Sequence, residues 1–289
     1  MDKLEVFNTL AAGVGHGELA FPTSAQVAIK VRQALDDPEC HIEAAAHLVQ
    51  AEPLLAARVV AMANSVTYNR AGNPVTDVRT AVARLGFRTV RALAMALITR
   101  QLSGSPSDPA LQTMAAQLWQ HTAHVAALAH VIARRVTKVD GETAMFAGIV
   151  HEVGGFYLLS QAKRQPGLLD GDFDAWMEGG EMILGRAVLQ VLEVPAPVLE
   201  AIEAYWDGFL AIPPHSLGDT LLLAEELCPV PSPLHRFNSR GAAPGGAAPG
   251  GADMGAGANL DMVLGEETLS GILAEAAEEV GSLTGALQF

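Results

Sequence analysis

The chain has 289 residues, 50% of them hydrophobic but only 5% aromatic, and 18 basic against 32 acidic side chains give a formal net charge of −14. Ala and Leu supply most of the apolar side chains; this mix favours helices and can bury a core, so bulk disorder is excluded, and without clustered Lys and Arg no nucleic acid is expected as a partner. Cys40 and Cys228 alone build neither a disulfide framework nor a four-Cys zinc site; with Asp2 and Glu5 where a signal peptide would be positive and then apolar, and no apolar run of about 18 residues, the expectation is a soluble, cytoplasmic, mostly helical protein that does not enter a membrane.

Residues 1–18 read as an N-terminal helix ending in Gly13-Val14-Gly15-His16-Gly17. Thr23 and Ser24 can cap a helix through Leu35, with Val27, Val31 and Leu35 on one stripe, and Asp36-Asp37-Pro38 stops it. Ile42, Ala45, Ala46 and Val49 mark the next helix. Pro53 opens another, which carries Leu54, Leu55, Val59, Val60 and Met62 and ends near Asn64-Ser65. After the Asn73-Pro74 turn, Thr76 or Asp77 caps a helix that Gly86 ends, and 87–102 is helical again.

Ser103 to Ser107 is a loop and a candidate subdomain boundary. Beyond it Leu111, Met114, Leu118, Thr122, Val125, Leu128, Ile132 and Val136 keep helical spacing throughout, with no competing strand alternation. Asp140-Gly141 is a turn before an apolar helix through Leu159. Further helices are expected at about 179–193, 196–206 and 217–227, the first two separated by Pro195 and Pro197. Residues 239–259 form a Gly/Ala/Pro linker, and 260–289 hold an amphipathic helix with Leu269, Ile272, Leu273, Ala276, Val280 and Leu283 on its stripe. This tail is acidic and lacks Lys and Arg. It either docks permanently on its own domain and completes the fold, or is a detachable helix that competes with a partner for a signalling surface, docking then beside basic residues such as Arg84, Arg88 and Arg91.

Few titratable groups fall on apolar helix faces. His121 points into the stripe of the long helix, His124 flanks it, and His130 should be mainly solvated. His151-Glu152 lies inside an apolar helical stretch, an expensive place for a carboxylate without a partner, and Glu225-Glu226 lies in LLLAEELC. Nitrogen and carboxylate ligands from separate helices can hold a divalent ion. The bland alternatives are hydrogen-bonded core histidines, a buried polar pair that fixes packing, and a water-facing helix edge. There is no HExxH, P-loop or GxSxG pattern, the glycines at 13–17 follow a helix rather than a strand, and Cys228 reads as structural.

Taken in order, the segments resemble an HDOD domain, the bacterial module related to HD-type metal-dependent phosphohydrolases. The pieces are the Pro22 opening, Asp36-Asp37-Pro38, Glu52-Pro53-Leu54-Leu55 with Arg58, Ala63-Asn64-Ser65 with Tyr68, Pro74-Val75, and Leu85-Gly86. LWQHTAHVA and AGIVHEVG look like the two His-bearing helices that follow. The resemblance covers 19–228 and implies an all-α fold of two packed helical subdomains, 19–102 and an HD-like 108–228. It also implies a signalling output or regulatory role, with response-regulator, kinase or cyclic-dinucleotide-turnover proteins as partners. By residue order His121 and His151 match metal-binding histidines of the parent hydrolases, while Glu152 and Glu225 stand at Asp positions. No catalytic residue and no cofactor is carried over beyond a single divalent ion (Fe, Mn, Mg or Zn). Each Asp-to-Glu change moves a carboxylate by about 1.5 Å, against a tolerance of about 0.2 Å in metal–ligand distance. Gly155 or Phe156 replaces a Lys common after the pair, Glu181 stands where a further His is expected, and Tyr205-Trp206 replaces a His-His pair. The resemblance therefore implies a non-catalytic module, with a nucleotide or cyclic-dinucleotide phosphohydrolase and a metal- or ligand-binding sensor as alternatives.

Overall fold

The structure is a computed structural model that describes residues 2–18, 23–104, 108–162, 164–165, 167–169, 174–235 and 269–288. It is all-helical, with no strand among the described residues. The helices are α1 (Lys3–Gly13), α2 (Thr23–Leu35), α3 (Ile42–Gln50), α4 (Pro53–Ala63), α5 (Val78–Leu102), α6 (Pro109–Ile132), α7 (Gly141–Val150), α8 (Val153–Ala162), α9 (Glu181–Val191), α10 (Ala196–Asp207), α11 (Leu217–Glu226), α12 (Leu269–Glu275) and α13 (Ala277–Leu287). Wider π turns follow α1 and α6 and precede α9. The glycines at 13–17 continue α1 through such a turn, and no strand feeds them. The linker at 239–259 and the side chains of Thr23, Ser24 and Val27 lie outside the described residues.

Caps anticipated from sequence appear where their donors are needed. Pro53 sits at the first position of α4, and Asp77 accepts from the Thr80 amide at 2.8 Å to start α5. Gly86 breaks α5 with φ 74° and ψ 165°, in the left-handed region that costs glycine little. The helix resumes at once, as the split at Gly86 requires.

The buried face of α6 carries Leu118, Val125, Ala126, Ala129 and Ile132, all fully shielded from water. Helix α7 lies against it so closely that a Cβ on Gly148 would come within 2.6 Å of the Ala126 Cα. A second close approach joins α8 to α9, where a Cβ on Gly154 would stand 2.7 Å from the Gly185 amide nitrogen. Helices α7 and α8 are separate, with His151 and Glu152 in the turn between them. The expected continuous helix is thus corrected: the chain turns at His151-Glu152, and Gly154 and Gly155 lie within α8.

Helix α11 begins with a capping box, Ser216 and Asp219 each accepting from the other's backbone amide. Asp219 also accepts from the Ala211 and His215 amides, tying the preceding loop to the helix. The tail is two helices hinged at Ala276 instead of one, and α13 packs on α6 and α4. Leu283 and Leu287 are fully buried there, and Glu279 meets Arg134 at 2.8 Å and Arg135 at 3.4 Å. The docking surface is therefore not Arg84, Arg88 and Arg91. Arg84 donates to the Ala63 and Asn73 carbonyls, Arg88 pairs with Asp140, and Arg91 pairs with Asp36.

Candidate metal centre

The α6–α7 approach sets the middle of one helix beside the end of the other, and so brings His121 and His151 together. Their ring centroids are 5.6 Å apart. His121 Nδ1 lies 2.7 Å from the Val230 carbonyl and His151 Nδ1 lies 2.6 Å from the Gly148 carbonyl. A carbonyl only accepts, so both rings carry their proton on Nδ1 and aim Nε2 inward.

What faces those nitrogens is carboxylate. His121 Nε2 is 3.1 Å from Glu225 Oε2 and 3.4 Å from Glu152 Oε2, and His151 Nε2 is 3.6 Å from Glu225 Oε2. Neither Nε2 nor Glu225 Oε2 has an aligned hydrogen-bond partner. The His121, His151 and Glu152 side chains are at most 2% exposed, while that of Glu225 is 24% exposed. Ligand atoms of His121, His151 and Glu152 all lie within 4.8 Å of one another, and this buried group could hold a metal ion. Glu225 joins through its contacts to both histidines. The donor set, two imidazole lone pairs and carboxylates, suits a borderline or hard divalent cation.

The electrostatics say the same. Burial pushes the His121 pKa down, but the Glu152 carboxylate, Cys228 and Glu225 outweigh it and hold it well above 6.5. Burial pushes the Glu225 pKa up, and the facing His121 and His151 rings reverse that, leaving it far below 4.5. Both shifts report a pocket that demands positive charge, as a proton or as a cation.

Three neighbours were not legible as site residues in the sequence. Ser232 donates from Oγ to Glu152 Oε1 at 2.6 Å, Cys228 Sγ lies 3.6 Å from His121 Nδ1, and the edge of the Tyr205 ring meets His151 at 5.7 Å between centroids. Cys228 is thus in contact with a candidate ligand. Glu226 is exposed, as the helix-edge reading requires.

The other histidines divide. His124 Nδ1 donates to the Gln120 carbonyl at 2.8 Å, a local helix bond. His130 is 2% exposed, which corrects its expected solvation. Its Nε2 is 3.5 Å from Glu142, whose carboxylate also accepts from Tyr68 at 2.5 Å and Thr89 at 2.8 Å. Spacing on α6 could not reveal this, because the partners come from α5, α7 and the turn after α4.

The HDOD domain profile matches residues 21–170. Among solved structures, a provisionally named metal-dependent phosphohydrolase from Shewanella amazonensis SB2B superposes with a TM-score of 0.71 at 20% identity, over 99% of this chain and 100% of that one. An HDOD domain protein of unknown function from Geobacter sulfurreducens gives 0.59 at 20% identity, covering 98% and 97% of the two chains. A provisionally named signal transduction protein from Marinobacter aquaeolei VT8 gives 0.58 at 21%, covering 100% of this chain and 65% of that one. At these identities the likeness is one of fold. No curated protein matches the chain.

Proposed function

The chain belongs to the HDOD family, and on that premise we propose that it is a non-catalytic regulatory module of bacterial signal transduction acting through protein–protein contacts. In this reading the HDOD unit runs over 19–228, with an HD-like part at 108–228 that keeps the ion-holding centre of its relatives without their chemistry. The chain works in the cytoplasm, and its partners are signalling proteins such as response regulators, kinases or cyclic-dinucleotide-turnover enzymes. Its relative of the same fold from Marinobacter carries the signalling description.

One observation carries the non-catalytic reading: the His121, His151 and Glu152 side chains are at most 2% exposed, so with residues 228–235 seated over them no substrate phosphate reaches them. Phosphoryl transfer also needs cations aimed at the developing charge. Arg134 and Arg135 bond Glu279, and Arg186 bonds Glu203 at 2.9 Å, so these basic groups serve other contacts. His121, His151, Glu152 and Glu225 would hold one divalent ion, which would supply the positive charge that the two carboxylates require. The chain's own part is to fix the donors. The Val230 and Gly148 carbonyls set both histidine tautomers, and Ser232 orients Glu152.

The rival is a phosphohydrolase acting on a nucleotide or cyclic dinucleotide. Purified chain incubated with nucleotide phosphodiesters and cyclic dinucleotides in Mn²⁺, Mg²⁺ or Fe²⁺ separates the two. No turnover above buffer is expected. Turnover that His151→Ala abolishes would overturn the non-catalytic assignment.

A further inference from the structure

Residues 228–235 cross directly over the donor cluster after α11, and every second residue touches it or its walls. Cys228 Sγ stands 3.6 Å from His121 Nδ1, and the Val230 carbonyl accepts the His121 proton at 2.7 Å. Ser232 Oγ donates to Glu152 at 2.6 Å, and Leu234 is fully buried. Leu234 sits where Gly155 has no side chain: a Cβ on Gly155 would lie 2.5 Å from Leu234 Cδ1. The intervening Pro229 and Pro231 face water, and with Pro233 they fix φ and remove three backbone donors. A segment with proline at alternate positions is stiff before it docks, so it loses little conformational entropy on seating.

We propose that 228–235 is a strap that closes His121, His151 and Glu152 from water, latched by Leu234 opposite Gly155, and that it must lift for a divalent cation to reach all three and is held shut once one is bound. The cation half of this inference rests on the reading of the cluster as ion-holding; the latch half does not. The coupling follows from the contacts. The Val230 and Ser232 bonds that seat the strap also fix the His121 tautomer and the Glu152 carboxylate, so closure and ion binding favour the same arrangement. By linkage each then stabilises the other.

Cys228 provides a probe, because it lies in the strap and is only partly buried. In a Cys40→Ser background it is the sole thiol, and its rate of reaction with Ellman's reagent reports strap opening. In chelator-treated protein, Leu234→Ala should raise that rate at least fivefold by emptying the latch, and Gly155→Ala should raise it by a smaller factor, since the Leu234 tip that its Cβ meets can partly swing aside. Leu283→Ala, which weakens the fold at α13 without touching the strap, should leave it within twofold. In the Cys40→Ser parent, 1 mM Mn²⁺ should slow the reaction at least threefold, and His151→Ala should remove that protection. Rates unchanged in both latch variants, or raised equally by Leu283→Ala, overturn the latch. Faster latch variants together with Mn²⁺ that binds in equilibrium dialysis but does not protect overturn the coupling. Absence of Mn²⁺ binding overturns the ion-holding reading and, with it, the cation half of the strap.

Discussion

The His121 Nδ1 bond to the Val230 carbonyl, 2.7 Å long, decides which ring nitrogen faces Glu225, and Nε2 stands 3.1 Å from that carboxylate. A neutral imidazole in this tautomer would point a lone pair at two carboxylates inside the protein, which is repulsive at low dielectric. A proton on Nε2 relieves the repulsion, and so does a divalent cation. A cation would satisfy both histidines at once, since His151 Nε2 faces the same oxygen from 3.6 Å.

Mn²⁺ or Zn²⁺ should therefore stabilise the chain. An ion present at 100 times its Kd adds about 2.7 kcal/mol, which for a chain of this size is a rise in Tm of roughly 5–10 °C. His121→Ala and His151→Ala should each abolish the rise, read by differential scanning fluorimetry with and without chelator. A rise of equal size in both variants would place the ion elsewhere.

Gly148 tests the geometry beneath the site. Its Cβ would meet the Ala126 backbone at 2.6 Å, and backbone cannot swing aside as a side-chain tip can. Gly148→Ala should push α7 off α6, costing about 1–3 kcal/mol in urea unfolding. Because the Gly148 carbonyl holds His151, Mn²⁺ affinity should fall about tenfold or more. Unchanged affinity in a destabilised variant would show that the helix spacing does not set the donor positions.

Much of this architecture was legible because it is written in local periodicity. The helix boundaries at Pro53, Asp77, Gly86 and Pro195 follow from caps and breakers within a few residues. His121 was readable from its stripe on α6, and His151-Glu152 from the cost of an acid among apolar neighbours. What periodicity cannot show is what a third element brings. Cys228, Val230 and Ser232 reach the site only because α11 returns the chain across α6, a contact more than 100 residues apart in sequence from His121. His130 was misread for the same reason, its partners being Tyr68 and Glu142. The tail's amphipathic stripe foretold a groove but could not say whose, since charge alone favoured the arginines at 84, 88 and 91 as much as Arg134.

Glu142 should shape the acid limb of stability. Burial pushes its pKa up, but hydrogen bonds from His130, Tyr68 and Thr89 outweigh this and hold it below the ordinary 4.5. A carboxylate depressed in the folded state contributes stability above its unfolded pKa and loses it as pH falls through the folded value. Glu142→Gln keeps an acceptor but loses the charge, so it should cost on the order of 1–2 kcal/mol near pH 6. The gap from the parent should close as pH falls below 4.5, the unfolded value. Urea midpoints of both proteins from pH 3 to pH 7 check this, and a gap that stays constant across that range would mean the charge of Glu142 contributes nothing.

The tail should behave as part of the fold. Leu283 and Leu287 are fully buried and Ala286 is 6% exposed, so α13 completes the core against α6 and α4. Leu283→Ala should cost about 2–5 kcal/mol, the usual range for emptying a buried leucine site. Glu279→Ala should cost about 1 kcal/mol and less in high salt, because Arg134 and Arg135 are partly exposed and water screens them. Truncation after residue 235 should lower the urea midpoint by more than either single change, and a synthetic peptide of residues 269–288 added in trans should recover part of the loss. Had the helix been a detachable element competing with a partner for a surface of this domain, truncation would leave the midpoint unchanged. An unchanged midpoint together with an unaffected Leu283→Ala variant would remove α13 from the folded core altogether.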